Sequence, residues 1–151
     1  MLNNFGILGP HIARCAQPDA RGFADLRALG YTTVIKLNSD EDYSHVREAQ
    51  ESGGVVVHCP LSAMCPDNAA VRRLVGEMRD LLAAGERLVV HCTLGRDRTG
   101  YVMAAYQMLA LGASLAETAV ERAHFSEGLS RWLFEPSIER ALADLQPESA
   151  R

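Results

Sequence analysis

The stretch from Leu88 to Leu111 limits the folds open to this chain more than any other. Leu88-Val89-Val90-His91 is a short apolar run, which predicts a buried strand. Thr99 to Leu111 is apolar on most faces, so its helix must sit at the centre of the molecule. A buried strand feeding a buried helix through one short loop points to an α/β domain with a central, mostly parallel sheet flanked by helices. At 151 residues the chain fits about one such domain, and a domain of this size folds without a disulfide or a metal.

The rest of the chain repeats the alternation. Phe5–Leu8 and Ile12–Cys15, around Gly9-Pro10, predict a short hairpin. Pro18-Asp19 opens a helix that Gly30 ends. Thr32–Leu37 and Val55–His58 read as strands, with a helix between them up to about Ser52. Val71, Leu74, Val75, Met78 and Leu82 share one helical face, so a helix runs from about Asn68 to Ala84. Ser114-Leu115-Ala116-Glu117 is a capping box, and a last helix runs from about Pro136 to Leu145. Residues 1–145 thus read as the domain and 146–151 as a frayed tail. Three loops, Asn38–Asp42, Cys59–Asp67 and Cys92–Arg98, fall at the carboxyl ends of strands, where open α/β sheets bind ligands.

Charge narrows the partners. The net charge is −4, which argues against a protein that coats nucleic acid. The longest nearly apolar stretch, Tyr101–Ala113, is short of the roughly 18 residues a membrane span needs. No signal peptide is read at the N-terminus. Cys15, Cys59, Cys65 and Cys92 are too few for a disulfide scaffold and read as thiols in a reducing cytoplasm.

The loop His91-Cys92-Thr93-Leu94-Gly95-Arg96-Asp97-Arg98-Thr99-Gly100 carries the chemistry. Cys92 faces the N-terminus of the following helix, whose dipole and open N–H groups favour a thiolate. The same N–H groups cradle a phosphate. Arg98 can grip two phosphate oxygens with its fork, Gly95 lets the loop bend, and Thr99 can donate its hydroxyl to the Cys92 sulfur. A thiolate and a phosphate cradle in one loop imply nucleophilic attack on phosphorus.

His91–Gly100 resembles the HCxxGxxR(S/T)G signature of the cysteine-dependent protein tyrosine phosphatase superfamily. The run Gly95-Arg96-Asp97-Arg98-Thr99-Gly100 looks most like its compact dual-specificity and atypical bacterial branch. Phe5-Gly6-Ile7 followed by Ile12–Pro18 is similar to the N-terminal hairpin of those small phosphatases. The resemblance implies phosphomonoester hydrolysis through a cysteinyl-phosphate, without metal or cofactor. It makes Cys92 the nucleophile and Arg98 the phosphate-binding residue. The backbone from Thr93 through Leu94, Gly95 and Arg96 to Asp97 becomes the cradle. Thr99 then assists thiolate formation and hydrolysis, and His91 holds the loop. Phosphotyrosine or phosphoserine/threonine proteins are the first substrate class it implies; phosphoinositides or inositol phosphates are the second.

Several assignments stay open at this level. The resemblance implies a general acid on the loop after the preceding strand, where Asp67 is the sole acid and is also a natural helix cap. Asp97, inside the phosphate loop, is the favoured alternative, with loop bracing as its other reading; a bound water is third. Arg96 either contacts a second acidic group of the substrate or is a plain surface arginine. Asp40, Glu41 and Asp42 read as a solvated face. Cys59 is expected on the strand beside Cys92, either as a redox partner or as a small buried hydrophobe. A zinc site from His58, Cys59, Cys65, His91 and Cys92 fits no standard spacing. Trp132 and Phe134 read as packing residues of the last helix, and Arg122 and His124 as candidates for the back of the site. Two rival classes remain. A rhodanese-like sulfurtransferase has a shorter loop than the five residues between Cys92 and Arg98. A phospho-ligand-binding pseudophosphatase commonly lacks the Cys or the Arg, and both are present here.

Overall fold

A computed structural model describes residues 2–39, 44–126 and 128–146. The acidic run Asp40–Asp42 and the tail beyond Gln146 lie outside the described residues. The strands are β1 (Gly6–Gly9), β2 (Ile12–Cys15), β3 (Thr33–Lys36), β4 (Val55–His58) and β5 (Leu88–His91). They form a five-stranded sheet in the order β1-β2-β5-β3-β4. β1 and β2 make the expected antiparallel hairpin, and every other pairing is parallel. β5 is central, with Leu88, Val89, Val90 and His91 all fully buried.

The helices are α1 (Ala20–Ala28), α2 (Ser44–Glu51), α3 (Asn68–Ala83), α4 (Asp97–Leu111), α5 (Leu115–Phe125) and α6 (Gly128–Leu145). Alternate residues of each strand face opposite layers, as the pleat requires. Ala13, Val34 and Val89 meet Phe23 and Leu26 of α1 and Ala49 of α2. Ile12, Ile35, Leu88 and Val90 meet Val71 and Leu74 of α3, Val102 and Met103 of α4, and Ile138 and Leu142 of α6. Val102, Met103, Ala104 and Ala105 are at most 1% exposed, so α4 is walled in on every side, as its apolar composition requires.

Local signals place the helix ends. Asp19 accepts from Gly22 N at 2.7 Å, and Ser114 Oγ accepts from Glu117 N at 3.2 Å. Gly112 closes α4 in the left-handed region, with φ 73°. Two boundaries differ from the sequence reading. α4 begins at Asp97 rather than Thr99, so Arg98 sits in its first turn. α6 begins at Gly128 with Pro136 inside it, rather than starting at Pro136. Proline removes one helical hydrogen bond. Tertiary contacts hold the preceding turns in place: Arg122 of α5 pairs with Glu135, and Phe134 packs on the core. Trp132, expected to pack, is 74% exposed.

The register aligns Cys15, His91 and Lys36, and Lys36 in turn with His58. The loops after β2, β3, β4 and β5 therefore emerge along one edge of the sheet, and the site lies there.

Leu142 is fully buried among α3 and α4 side chains. Leu142→Ala should lower unfolding free energy by about 2–5 kcal/mol, read as a lower urea midpoint with an unchanged slope.

Candidate active site

β5 ends at His91, and α4 starts at Asp97. Between them the loop runs over the edge of the sheet and delivers Cys92 beneath the first turn of α4. Cys92 is 2% exposed, at the floor of a cavity of about 410 Å³. Thr93, Leu94, Asp97 and Arg98 also line it. Ala63, from the loop after β4, and Leu133 and Phe134, from α6, form apolar walls.

The loop carbonyls are each held from outside. Gln17 N donates to Thr93 O at 3.0 Å. Asn4 Nδ2 donates to Leu94 O and Gly95 O, both at 3.1 Å. Arg14 Nη2 donates to Gly95 O at 2.9 Å and reaches Arg96 O at 3.4 Å. In a trans peptide the C=O and the following N–H point in opposite directions. Drawing four successive carbonyls outward turns the N–H groups of Leu94, Gly95, Arg96 and Asp97 inward, where an anion would lie. Gly95 is obligatory in this path. Its φ is +69°, and a Cβ there would stand 2.5 Å from the Cys15 backbone carbon.

Supports converge behind the loop. Arg14 is 1% exposed; Glu121 of α5 meets its Nη1 at 2.5 Å, and the Phe125 ring stacks 4.1 Å from its guanidinium carbon. Burial lowers the Arg14 pKa from its ordinary value, and Glu121 works against that shift. Lys36, the chain's one lysine, is 1% exposed and donates to Gln17 Oε1 at 3.2 Å; Asn38 Nδ2 donates to the same oxygen at 3.1 Å. The ends of β2 and β3 are thus tied to the loop through Gln17. His91 donates from Nδ1 to Cys92 O at 3.2 Å, with its ring edge-on to Phe23. That places it behind the loop. Thr99 Oγ1 is fully buried with no hydrogen-bond partner among the described residues.

Arg98 Nη2 donates to Thr93 Oγ1 at 3.2 Å, and Nη1 reaches Leu61 O at 3.5 Å, so its fork lies along the cavity. Asp97 is 9% exposed and lines the cavity. Asp67 is exposed, caps α3 by accepting from Ala70 N at 3.0 Å, and is not among the lining residues. Arg96 is half-buried and is not a lining residue either.

The cysteines depart from expectation. β3 lies between β4 and β5, so Cys59 is not on a strand beside Cys92. The run Val55–His58 pairs only with β3, because the hairpin strand β2 takes the other edge of β5. Cys59 packs toward the α3 layer, where burial pushes its thiol pKa up. Cys15 does stand on the adjacent strand, but it is fully buried and its pKa is pushed up to about 12 by desolvation. Among the described residues no group of three or more His, Cys, Asp or Glu side chains could hold a metal ion. Arg122 and His124 do not line the cavity: Arg122 joins α5 to α6, and His124 stands edge-on to Phe125.

A role at the site is not read from the sequence for Asn4, Arg14, Gln17, Leu133 or Phe134, the last of which is read there as a packing residue only. A charged residue inside the apolar run Ile12–Cys15 was the one available signal for Arg14. Leu133 and Phe134 were hidden by the misplaced start of α6.

Comparison with known proteins decides the family. Residues 8–112 match the family model Tc-R-P, described as a polymorphic toxin system DSP-PTPase phosphatase. The chain belongs to that family. The dual specificity protein phosphatase TpbA of Pseudomonas aeruginosa is 29% identical to this family member over 105 residues, 70% of this chain and 46% of the relative. The chain thus matches about half the length of that curated relative. A crystal structure of P. aeruginosa TpbA in complex with pTyr superposes with a TM-score of 0.72 at 21% identity, covering 93% of this chain and 91% of that one. A mutant form of Tk-PTP superposes with a TM-score of 0.79 at 22% identity, covering 94% and 93%. The core catalytic domain of the PP-IP phosphatase SIW14 from S. cerevisiae, in complex with citrate, gives 0.71 at 18%, covering 96% and 95%. These structural likenesses establish the α/β phosphatase fold of the DSP-PTPase chain.

Gly95→Ala should lose at least about 1–2 kcal/mol of stability from the left-handed backbone alone, and phosphate should bind the folded variant more weakly. A urea titration and phosphate inhibition of aryl phosphate hydrolysis read the two effects.

Proposed function

We propose that this protein hydrolyses phosphomonoesters through a cysteinyl-phosphate intermediate, with the phosphotyrosine of a protein as its preferred substrate. One observation carries the reading: Cys92, Arg98 and Asp97 line a single cavity whose floor is a loop with its carbonyls turned away. The Cys92 thiolate attacks phosphorus in line, so an S–P bond forms as the P–O bond to the leaving group breaks. The Arg98 fork takes two equatorial oxygens, and the loop N–H groups take charge as it develops. Water then attacks the cysteinyl-phosphate, releasing phosphate and the thiolate. Thr99 is included in the proposal as donor to the departing sulfur; its buried hydroxyl has no hydrogen-bond partner among the described residues and would have to turn toward Cys92 to serve.

Asp97 is proposed as general acid in the first step and as base toward water in the second. Its place in the cavity supports this, as does the capping bond that occupies the Asp67 carboxylate. The apolar walls support an aryl substrate. An aryl leaving group would meet apolar surface on Ala63, Leu133 and Phe134, whereas a polyphosphorylated ring would bring anions against them. Leu94 and Leu133 are about half exposed at the mouth, leaving apolar surface for residues flanking the phosphotyrosine. Phosphoinositides and inositol phosphates remain the competing substrate class; Arg96, which would serve them, does not line the cavity. The described helices include none long and apolar enough to cross a membrane. A cytoplasmic setting is part of the same proposal, supported by a count of four cysteines, too few for a disulfide scaffold.

Cys92→Ser should abolish turnover of p-nitrophenyl phosphate while phosphate still binds. More than trace activity in that variant rejects the nucleophile. Asp97→Asn should slow an aryl phosphate with a poor leaving group by about 10²–10⁴-fold and a good one far less. Asp67→Asn should slow both alike. Equal slowing by Asp97→Asn would assign that residue to loop bracing instead. A panel of phosphotyrosyl peptides, phosphoseryl peptides and phosphoinositides tests the walls: higher kcat/KM on the inositol lipids would reject the aryl preference.

A further inference from the structure

Arg14 occupies a place where a strand needs no charge. Its neighbours Ile12, Ala13 and Cys15 are apolar, and Arg14 is the largest fully buried side chain among the described residues. Taking a guanidinium out of water is costly unless its donors are matched. Arg14 spends them on one thing besides Glu121: the carbonyls of Gly95 and Arg96. Its Nε is left without a hydrogen-bond partner among the described residues, so the loop contacts are kept at some cost. The same Nη2 lies 3.6 Å from where a Cβ on Gly100 would stand, which puts the guanidinium directly beneath the first turn of α4.

We propose that Arg14 is a positioning residue for phosphoryl transfer. By holding the Gly95 carbonyl away from the cavity, its guanidinium aims the N–H group of Arg96 at an equatorial oxygen of the transferring phosphoryl group, beside the Arg96 carbonyl that Gly100 N holds at 2.8 Å. The proposal rests on the phosphatase reading of the site. Glu121 and the Phe125 ring of α5 fix the guanidinium, so α5 acts on the loop through Arg14. Donors aimed in advance at developing charge stabilise the transition state more than the bound substrate. Removing Arg14 should therefore lower kcat more than it raises KM. A lysine presents its three donors from a single nitrogen and lacks the planar fork that reaches Glu121 from Nη1 and the loop from Nη2, so Arg14→Lys should recover only part of the loss.

The test uses Arg14→Met and Arg14→Lys with p-nitrophenyl phosphate as substrate, and vanadate and phosphate as inhibitors. Arg14→Met should reduce kcat about 10²-fold, the scale of a catalytic group misplaced by about 1 Å, with KM changing far less. Vanadate, which mimics the five-coordinate transition state, should lose affinity roughly in parallel with kcat, and phosphate much less. Arg14→Lys should fall between wild type and Arg14→Met. Inhibition constants do not depend on the fraction of enzyme folded, so a purely structural role leaves both unchanged, and that result overturns the proposal. Should Arg14→Met fail to melt cooperatively, Arg14→Lys and Asn4→Ala carry the same readout. Asn4 holds the Leu94 and Gly95 carbonyls from outside the core, and unchanged vanadate affinity in both variants overturns the proposal equally. Cys92-dependent turnover by the wild type establishes the site reading separately, so failure of that reading and failure of the Arg14 role are distinguishable.

Discussion

The loop at the end of β5 depends on backbone carbonyls being held from behind. A peptide chain crossing the end of a sheet has no ladder partners of its own, and its N–H groups can point either way. Here Gln17, Asn4 and Arg14 take the carbonyls of Thr93, Leu94 and Gly95, and Gly100 N of α4 takes that of Arg96, so the donors have one direction left. These supports come from Asn4 just ahead of the N-terminal hairpin, from Arg14 on β2 and from Gln17 just after it, far away in sequence. That accounts for β2 being paired directly to β5. An insertion of another strand between them would move Arg14 and Gln17 out of reach of the loop.

The two layers divide the work. α1 and α2 cover one face and meet His91 and Cys15 through Phe23 and neighbouring apolar residues. α3, α4 and α6 cover the other face, and α6 reaches the site mouth with Leu133 and Phe134. On that second face α5 joins the loop supports to α6, because Glu121 and Phe125 hold Arg14 while Arg122 pairs with Glu135 of α6. The loop floor and the apolar wall are thus set by adjoining residues of one helix. A change in how α5 packs would alter both the donors under a phosphate and the wall beside its leaving group.

The cysteines show what burial does to reactivity. Cys15 is adjacent to the loop but is fully buried with its pKa pushed up to about 12, which leaves it a poor nucleophile toward an oxidised Cys92. Cys59 lies beyond β3 and packs against α3. Cys15 has the proximity and Cys59 does not, and burial raises the pKa of both thiols, so neither is placed and activated as a partner for Cys92.

The sequence by itself determined the α/β class, the antiparallel start, the buried β5–α4 pair and the loop from Cys92 to Arg98. Those features rest on local pattern: β-branched runs, helical periodicity, and Cys, Gly and Arg at fixed spacing within ten residues. The choice between Asp97 and Asp67 stayed open because each has a plausible local role, and only three-dimensional placement put the first in the cavity and the second on a helix cap. Strand order was also beyond local pattern, and it removed Cys59 from the neighbourhood of Cys92. The start of α6 was misread because proline is a local helix breaker, whereas an ion pair and core contacts from other elements hold the turns before it. Asn4, Arg14 and Gln17 could be found only in the folded chain. A hydrogen bond from the first twenty residues to a carbonyl some eighty residues away leaves no periodic trace, because a backbone oxygen accepts whatever its residue type.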